Sequence, residues 1–147
     1  MKTVSDVMTR DVRIASPDQT ICEVAGAMAE ADVGSLPVGE NDRLIGMITD
    51  RDIVLRAVAK GRDPKTPVRE VMTDSIQYCY EDDDVVGVAE NMAHLGVRRL
   101  AVLNHDKRLV GIVALSNVAN CGETKATTKL LKGVAEPHHE NRQAAVV

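Results

Sequence analysis

Two spacings alternate along this chain. Val12 and Ile14 are apolar with a charged residue between them, the two-residue period of a short strand, whereas Ile21, Val24, Ala25 and Met28 recur at three to four residues like one face of a helix. Ser35 to Val38 and Leu44 to Ile48 are short apolar runs separated by Gly39-Glu40-Asn41-Asp42, a turn-forming cluster, and so predict a hairpin. A second helix is predicted over about residues 50–60. Gly61 stops it, and Asp63-Pro64-Lys65-Thr66-Pro67 carries two prolines that a helix interior does not tolerate.

The order then repeats. Asp6-Val7-Met8-Thr9 returns as Glu70-Val71-Met72-Thr73, Ala27-Met28-Ala29 as Asn91-Met92-Ala93, and Leu36-Pro37-Val38 as Leu100-Ala101-Val102, each 64 positions on. Leu44-Ile45-Gly46-Met47-Ile48 returns as Leu109-Val110-Gly111-Ile112-Val113, now 65 positions on, so one residue was gained between the two hairpin strands, where a turn absorbs it most easily. The second copy predicts a strand over 76–80, a helix over 84–95, strands over 99–103 and 109–113, and a final helix from about Leu115. Each copy is therefore β-α-β-β-α. Neither buries both faces of so small a sheet alone, which predicts an α/β (α+β) fold with the copies packed about a pseudo-two-fold axis. The expected organisation is a first motif over 1–62, a linker over 63–69, a second motif over 70–120 and a tail over 121–147. The tail has no counterpart in the repeat; a helix is expected over 124–131, and disorder from Pro137-His138-His139-Glu140 onward.

Composition narrows the function. The chain of 147 residues is long enough for one fold unit or two small units sharing a core, and 44% hydrophobic with 27% charged residues is too apolar for general disorder. It has no Trp or Phe and only Tyr78 and Tyr80, so the core is aliphatic and base stacking on aromatic platforms is not expected. Lys plus Arg number 18 against 22 for Asp plus Glu, with no long basic block, which argues against nucleic acid or an anionic membrane as partner. Met1 to Asp11 lacks the apolar core of a signal peptide, and a cytoplasmic location is expected. Cys22, Cys79 and Cys121 are an odd number without CxxC spacing and read as reduced, small core residues. Cys22 lies near a helix start, but its apolar neighbours predict a buried, inert thiol.

Several segments together carry a family resemblance: the Val-Met-Thr opening of each copy, Val33-Gly34-Ser35-Leu36-Pro37-Val38 with Val97-Arg98-Arg99-Leu100-Ala101-Val102, and Gly46-Met47-Ile48-Thr49-Asp50-Arg51-Asp52-Ile53. Over about residues 4–120 the chain resembles the CBS-domain pair, or Bateman module, in a stand-alone form. The resemblance implies a regulatory sensor that binds an adenosine-containing ligand (AMP, ADP, ATP, NAD or an S-adenosyl compound) in the cleft between its motifs, forms a homodimer, and acts on an effector protein the sequence does not identify. No resident cofactor or metal is implied.

The candidate site sits at a strand-to-helix junction. Thr49 and Asp52 lie where free helix N–H groups and the positive end of the helix dipole attract phosphate. Thr49 is placed to bond a phosphate or ribose oxygen and Asp52 to accept the ribose hydroxyls; the resemblance marks these two positions as the family's ribose-phosphate signature. A second reading stands beside it: Thr-x-x-Asp at a helix start is also a capping box that satisfies the helix's own amides. Thr20 with Glu23 shows similar spacing, matches no ligand motif and reads as a cap. In copy two, Ala114 stands in place of Thr49 and Asn117 in place of Asp52, which predicts a weaker second site. Arg98 and Arg99 correspond to Gly34 and Ser35. If the copies face each other, the stronger site is offered a guanidinium and the weaker site none; otherwise both are surface or interface arginines. Arg51 is a further phosphate candidate, and Val12, Ile14 and Pro37 are the aliphatic residues expected against the base.

Three other functions are compatible with parts of the sequence. A metal or redox sensor would use His138-His139 with Cys121. An enzyme is disfavoured by the lack of a Ser-His-Asp order, an HExxH or a Walker-type loop, the acidic run Glu81 to Asp84 reading as a solvated turn. A ligand-free dimer that binds a partner protein is the third.

Overall fold

Asn41 and Asp42 form a tight two-residue turn. Both adopt positive φ, 54° and 62°, as a two-residue hairpin turn of the twist-matched kind requires. They join antiparallel strands β1 (Ser35–Glu40) and β2 (Arg43–Thr49), so the predicted four-residue turn is tighter than expected and the strands are longer. The computed structural model describes residues 2–136.

The first full helix of copy one is α2 (Ile21–Ala31), and a one-turn helix, α1 (Val4–Val7), lies near the start of the chain. Thr20 and Glu23 close a capping box at the start of α2, in agreement with the sequence. Ile21, Val24 and Met28 are its buried stripe, and Cys22 falls off that stripe into solvent. The expectation of a buried Cys22 is thereby corrected: the helical phase outweighs its apolar neighbours. Beyond β2 the helical run opens with one α-turn, α3 (Asp50–Asp52), passes through a wider π-turn at Ile53–Ala57 and tightens to 3₁₀ at Val58–Lys60. Gly61 ends it at φ 73°, as the sequence indicated.

The expected first strand of copy one is reduced to a single bridge. Ala15 donates to the Pro37 carbonyl at 2.8 Å and accepts from Gly39 at 2.9 Å, pairing parallel with β1, but Ile14 is 52% exposed. Pro37, which stands where Ala101 stands in copy two, has no N–H to offer the Arg13 carbonyl, so the ladder does not run back through Val12 and Ile14. Copy two keeps its strand: β3 (Tyr78–Tyr80) runs parallel to β4 (Arg99–Leu103), which pairs antiparallel with β5 (Leu109–Ala114). Between β3 and β4 lies α4 (Val85–Leu95), capped by Asp84 and ended by Gly96 at φ 72°. The two hairpins share one register, with Val38 opposite Gly46 and Val102 opposite Gly111, and each ladder shifts by one residue immediately beyond. The inserted residue is taken up in the Asn104–Arg108 turn, where the Asn104 carboxamide accepts the amides of Asp106 and Arg108. α5 (Leu115–Asn120) and α6 (Thr124–Ala135) complete the described chain.

Two compact units result. One spans residues 13–76; the other joins the opening segment, up to Val12, to the chain from Gln77 onward. The sequence repeats and the spatial units are thus offset by the opening segment. Met8 and Thr9 open copy one but pack on the hairpin of copy two, where Thr9 and Ile112 exchange two backbone bonds of 2.9 Å. Met72 and Thr73 open copy two and pack on the hairpin of copy one, Thr73 and Met47 exchanging bonds of 2.8 Å. Glycine is required beneath both. A Cβ on Gly46 would lie 2.7 Å from the Thr73 carbonyl oxygen, and one on Gly111 2.7 Å from that of Thr9. Each unit has its own aliphatic core, with Val24, Val38 and Ile48 in the first and Met92, Leu100 and Leu130 in the second.

Candidate functional site

The end of β2 carries Thr49 into the start of α3 with both Thr49 and Asp52 buried, at 4% and 7% exposure. The capping box predicted as one of two readings is fully formed. The Thr49 amide donates to Asp52 Oδ2 at 3.1 Å and the Asp52 amide to Thr49 Oγ1 at 2.9 Å. Asp52 does more than cap. Its Oδ1 lies 3.8 Å from Arg56 Nε, and the Thr73 side chain hydrogen-bonds the same carboxyl. Burial raises the Asp52 pKa above its ordinary value of 3.8, and the bonds from Thr49 and the charge of Arg56 offset part of that rise.

Arg56 and Thr73 were not singled out from the sequence. The (i, i+4) spacing of Asp52 and Arg56 was the available signal. Thr73 gave none, because only the fold brings the opening segment of copy two under the hairpin of copy one. Arg56 also ties that segment down, donating to the carbonyls of Val71 at 3.2 Å and Met72 at 3.1 Å.

The corresponding corner of copy two has lost this network. Ala114 offers no side-chain oxygen, and half a box survives as a 2.7 Å bond from its amide to Asn117 Oδ1. By the 65-residue offset Cys121 stands where Arg56 stands, and its thiol donates to the Val118 carbonyl at 3.0 Å. Thr9, the counterpart of Thr73, is exposed.

The remaining candidates divide between the units. Pro37 is buried in β1 beside the exposed Ile14, and Arg51 is exposed at the start of α3. Val12 is half-buried at the end of the opening segment of the other unit. In that unit Arg99 opens β4 opposite Ala114, and the exposed Arg98 accepts the Leu115 amide on its carbonyl at 2.9 Å, as Gly34 accepts that of Asp50 in copy one.

Elsewhere both tyrosines and His105 gather at one edge of copy two. His105 stacks on Tyr80 at 4.9 Å, Lys107 donates to the Tyr78 hydroxyl at 2.9 Å, and His105 Nε2 lies 2.8 Å from Asp82 Oδ2. Among the described residues there is no group of three or more His, Cys, Asp or Glu placed to hold a metal, and no helix long and apolar enough to cross a membrane. His138 and His139 lie outside the described residues, as does the disorder expected from Pro137 onward.

Two β-hairpins of one register, each braced by helices and each ending in a strand-to-helix corner, define a tandem-repeat module with one elaborated and one simplified corner. The CBS domain model matches the chain twice, over residues 4–58 and 68–122, and the chain belongs to that family. It is 44% identical over 119 residues to CBS domain-containing protein YhcV of Bacillus subtilis, covering 81% of this chain and 84% of that protein. It is 36% identical over 139 residues to Hypoxic response protein 1 of Mycobacterium tuberculosis, covering 93% and 96%. The crystal structure of Hypoxic Response Protein I with two coordinated zinc ions superposes with a TM-score of 0.73 at 36% identity, over 81% of this chain and 98% of that one. The CBS domain pair of protein MJ0100, in complex with 5′-methylthioadenosine and S-adenosyl-L-methionine, superposes with a TM-score of 0.73 at 26% identity, over 85% and 98%.

Proposed function

We propose that this chain is a regulatory module that binds an adenosine-containing ligand, with one stronger site at the corner built by Thr49 and Asp52. The observation that carries the reading is the asymmetry between the two corners. Thr49, Asp52, Arg56 and Thr73 form a buried, polar, charged network in copy one, and Ala114, Asn117, Cys121 and Thr9 stand in its place in copy two. A cap alone needs no arginine and no second threonine. The adenosine compounds bound by the MJ0100 domain pair support the same ligand class.

In this reading Asp52 accepts the ribose hydroxyls and Thr49 bonds a ribose or phosphate oxygen. Within the same unit Arg51 is the guanidinium offered to phosphate, and Ile14 and Pro37 are the aliphatic surface for the base. Ala114 and Asn117 give a second, weaker site. AMP, ADP, ATP, NAD and S-adenosylmethionine are the candidates. The role is regulatory rather than catalytic: the ligand acts on an effector protein through whatever equilibrium between states it binds unequally. A homodimer is part of the proposal, since Leu55 and Val58 are 45% and 67% exposed on one helical run.

Thermal-shift and calorimetric titration with those five compounds tests the reading. At a hundredfold excess over Kd a true ligand stabilises the fold by about 2.7 kcal/mol, a clear rise in Tm. No rise with any of the five would leave the ligand-free dimer that binds a partner protein, which the exposed Leu55 and Val58 also favour.

A further inference from the structure

Arg56 holds two partners at once. Its Nε lies 3.8 Å from Asp52 Oδ1, and its Nη1 donates to the carbonyls of Val71 at 3.2 Å and Met72 at 3.1 Å. Thr73 makes a second connection between the same two places: its side chain bonds the Asp52 carboxyl, and its backbone exchanges bonds of 2.8 Å with Met47 of β2. Past Thr73 the chain runs on to β3 of copy two. Arg56 reaches its partners from an unusual stretch of backbone, the π-turn at Ile53–Ala57, where the Val58 amide is shared between the carbonyls of Ile53 and Val54. Such turns are rare and recur at functional sites. The repeat shows that the fold does not require one. In copy two α5 stays α-helical and ends at Asn120, and Cys121, at the position of Arg56, turns its thiol to the Val118 carbonyl of its own helix.

We infer that Arg56 is a positioning residue that couples the Thr49–Asp52 corner to residues 71–76, holding Asp52 and the chain that leads into copy two with one guanidinium. The guanidinium is a rigid plane, so a change in the carboxylate it faces is felt at the two carbonyls it bonds. Val68 and Arg69 are anchored elsewhere, their amides donating to the carbonyls of Gln19 and Pro17, so the coupled stretch starts at Val71. Coupling of this kind is reciprocal. A ligand that fixes the Asp52 carboxylate steadies residues 71–76, and steadying them raises affinity by the same factor. The ligand's part rests on the reading of Thr49 and Asp52 as a binding corner; the link from Asp52 to the segment does not.

Hydrogen exchange of the full chain, followed by NMR without ligand, tests that link. The reporters are the amides of Thr73 and Met47, which bond each other's carbonyls. Arg56→Met and Asp52→Asn are each expected to speed both reporters about tenfold, and the double variant is expected to be no faster than either single one. If Arg56→Met does not fold, Arg56→Lys carries the same cycle. Arg62→Met, which removes an exposed arginine bonded to Glu70 but not to Asp52, changes the reporters by less than about twofold. A second arm adds saturating AMP, which is expected to slow both reporters in the wild type and not in Arg56→Met. The groups facing Asp52 are Thr49, Thr73 and Arg56, and among the described residues Arg56 is the charged one. The pH below which AMP affinity falls therefore moves up in Arg56→Met and stays in place in Arg56→Lys. Additive effects of Arg56→Met and Asp52→Asn in the free protein overturn the inference whatever AMP does. So does a loss of AMP affinity in Arg56→Met that is equal at every pH, which would make Arg56 a structural anchor. Non-additive effects with no response to AMP uphold the link and count against AMP as the ligand.

Discussion

Thr49 and Asp52 hold each other in a reciprocal pair: each backbone amide donates to the other's side chain, at 3.1 and 2.9 Å, in a buried corner. Thr20 and Glu23 make the same exchange at the start of α2, but on partly exposed ground and without a cation or a second hydroxyl attached. Arg56 and Thr73 give the Thr49–Asp52 corner a cation and a second hydroxyl that the Thr20–Glu23 cap lacks. They come at the cost of burying a carboxylate, which a helix start does not need for capping alone.

The glycines under the opening segments make the first prediction. Gly46→Ala drives a methyl against the Thr73 carbonyl and Met72 Sδ, 2.7 and 2.9 Å away, and the exchanged backbone bonds leave little room to yield. Overpacking of this kind costs about 1–3 kcal/mol. Urea unfolding of the variant reports it. Gly26→Ala, whose Cβ meets nothing within 4 Å, is neutral or stabilising in the same measurement.

Much of this architecture was legible in the sequence, and the lapses have physical causes. The 64- and 65-residue offsets located both hairpins, and the Thr20–Glu23 box and Gly61 stop followed from local rules that act within one turn of chain. The strand at Val12 and Ile14 did not form. Alternation marks residues able to pair, but Pro37 on the facing strand lacks the N–H that the next ladder bond needs, and only Ala15 bridges. Cys22 was misjudged because near neighbours in sequence are not neighbours on a helix. Arg56 and Thr73 stayed hidden because their link to Asp52 passes through the exchanged opening segment, which no local pattern encodes.

The thiols give a second prediction. Burial pushes the Cys79 pKa up to about 12, while Cys22 is exposed. A thiol reagent at neutral pH therefore labels Cys22 first, the half-buried Cys121 more slowly, and Cys79 only after unfolding. Mass spectrometry of partially labelled protein shows the order. Fast labelling of Cys79 in the native state would contradict its place in the core.

His105 makes a third. The Asp82 carboxylate, bonded to it at 2.8 Å, raises its pKa above 6.5, and Asp82 is itself lowered below 3.8. Glu81 and Asp83 add to the rise in the His105 pKa. The pair therefore favours the fold between these values. Its contribution is lost as pH rises through the raised histidine pKa and as pH falls through the lowered aspartate pKa. In an NMR titration Asp82→Asn moves the His105 midpoint down toward its ordinary value. An unchanged midpoint would mean the bond does not persist in solution.

Whether the copy-one corner binds a ligand or only caps a helix is decided by titrating Asp52→Asn against the wild type with the best adenosine binder by calorimetry. Asparagine keeps the acceptor for the Thr49 amide, as Asn117 does for Ala114 at 2.7 Å, but removes the charge. A binding corner loses on the order of 10- to 100-fold in affinity, from about 1.5–3 kcal/mol for a charged hydrogen bond, while Asn117→Ala changes affinity little. Wild-type affinity also weakens as pH falls through the raised Asp52 pKa, and the variant does not follow. The same raised pKa acts on folding with the opposite sign, favouring the fold on the acid side and losing that contribution as pH rises through it. Affinity that is unchanged in Asp52→Asn, or that falls equally in Asn117→Ala, would contradict a single ligand corner built on Thr49 and Asp52.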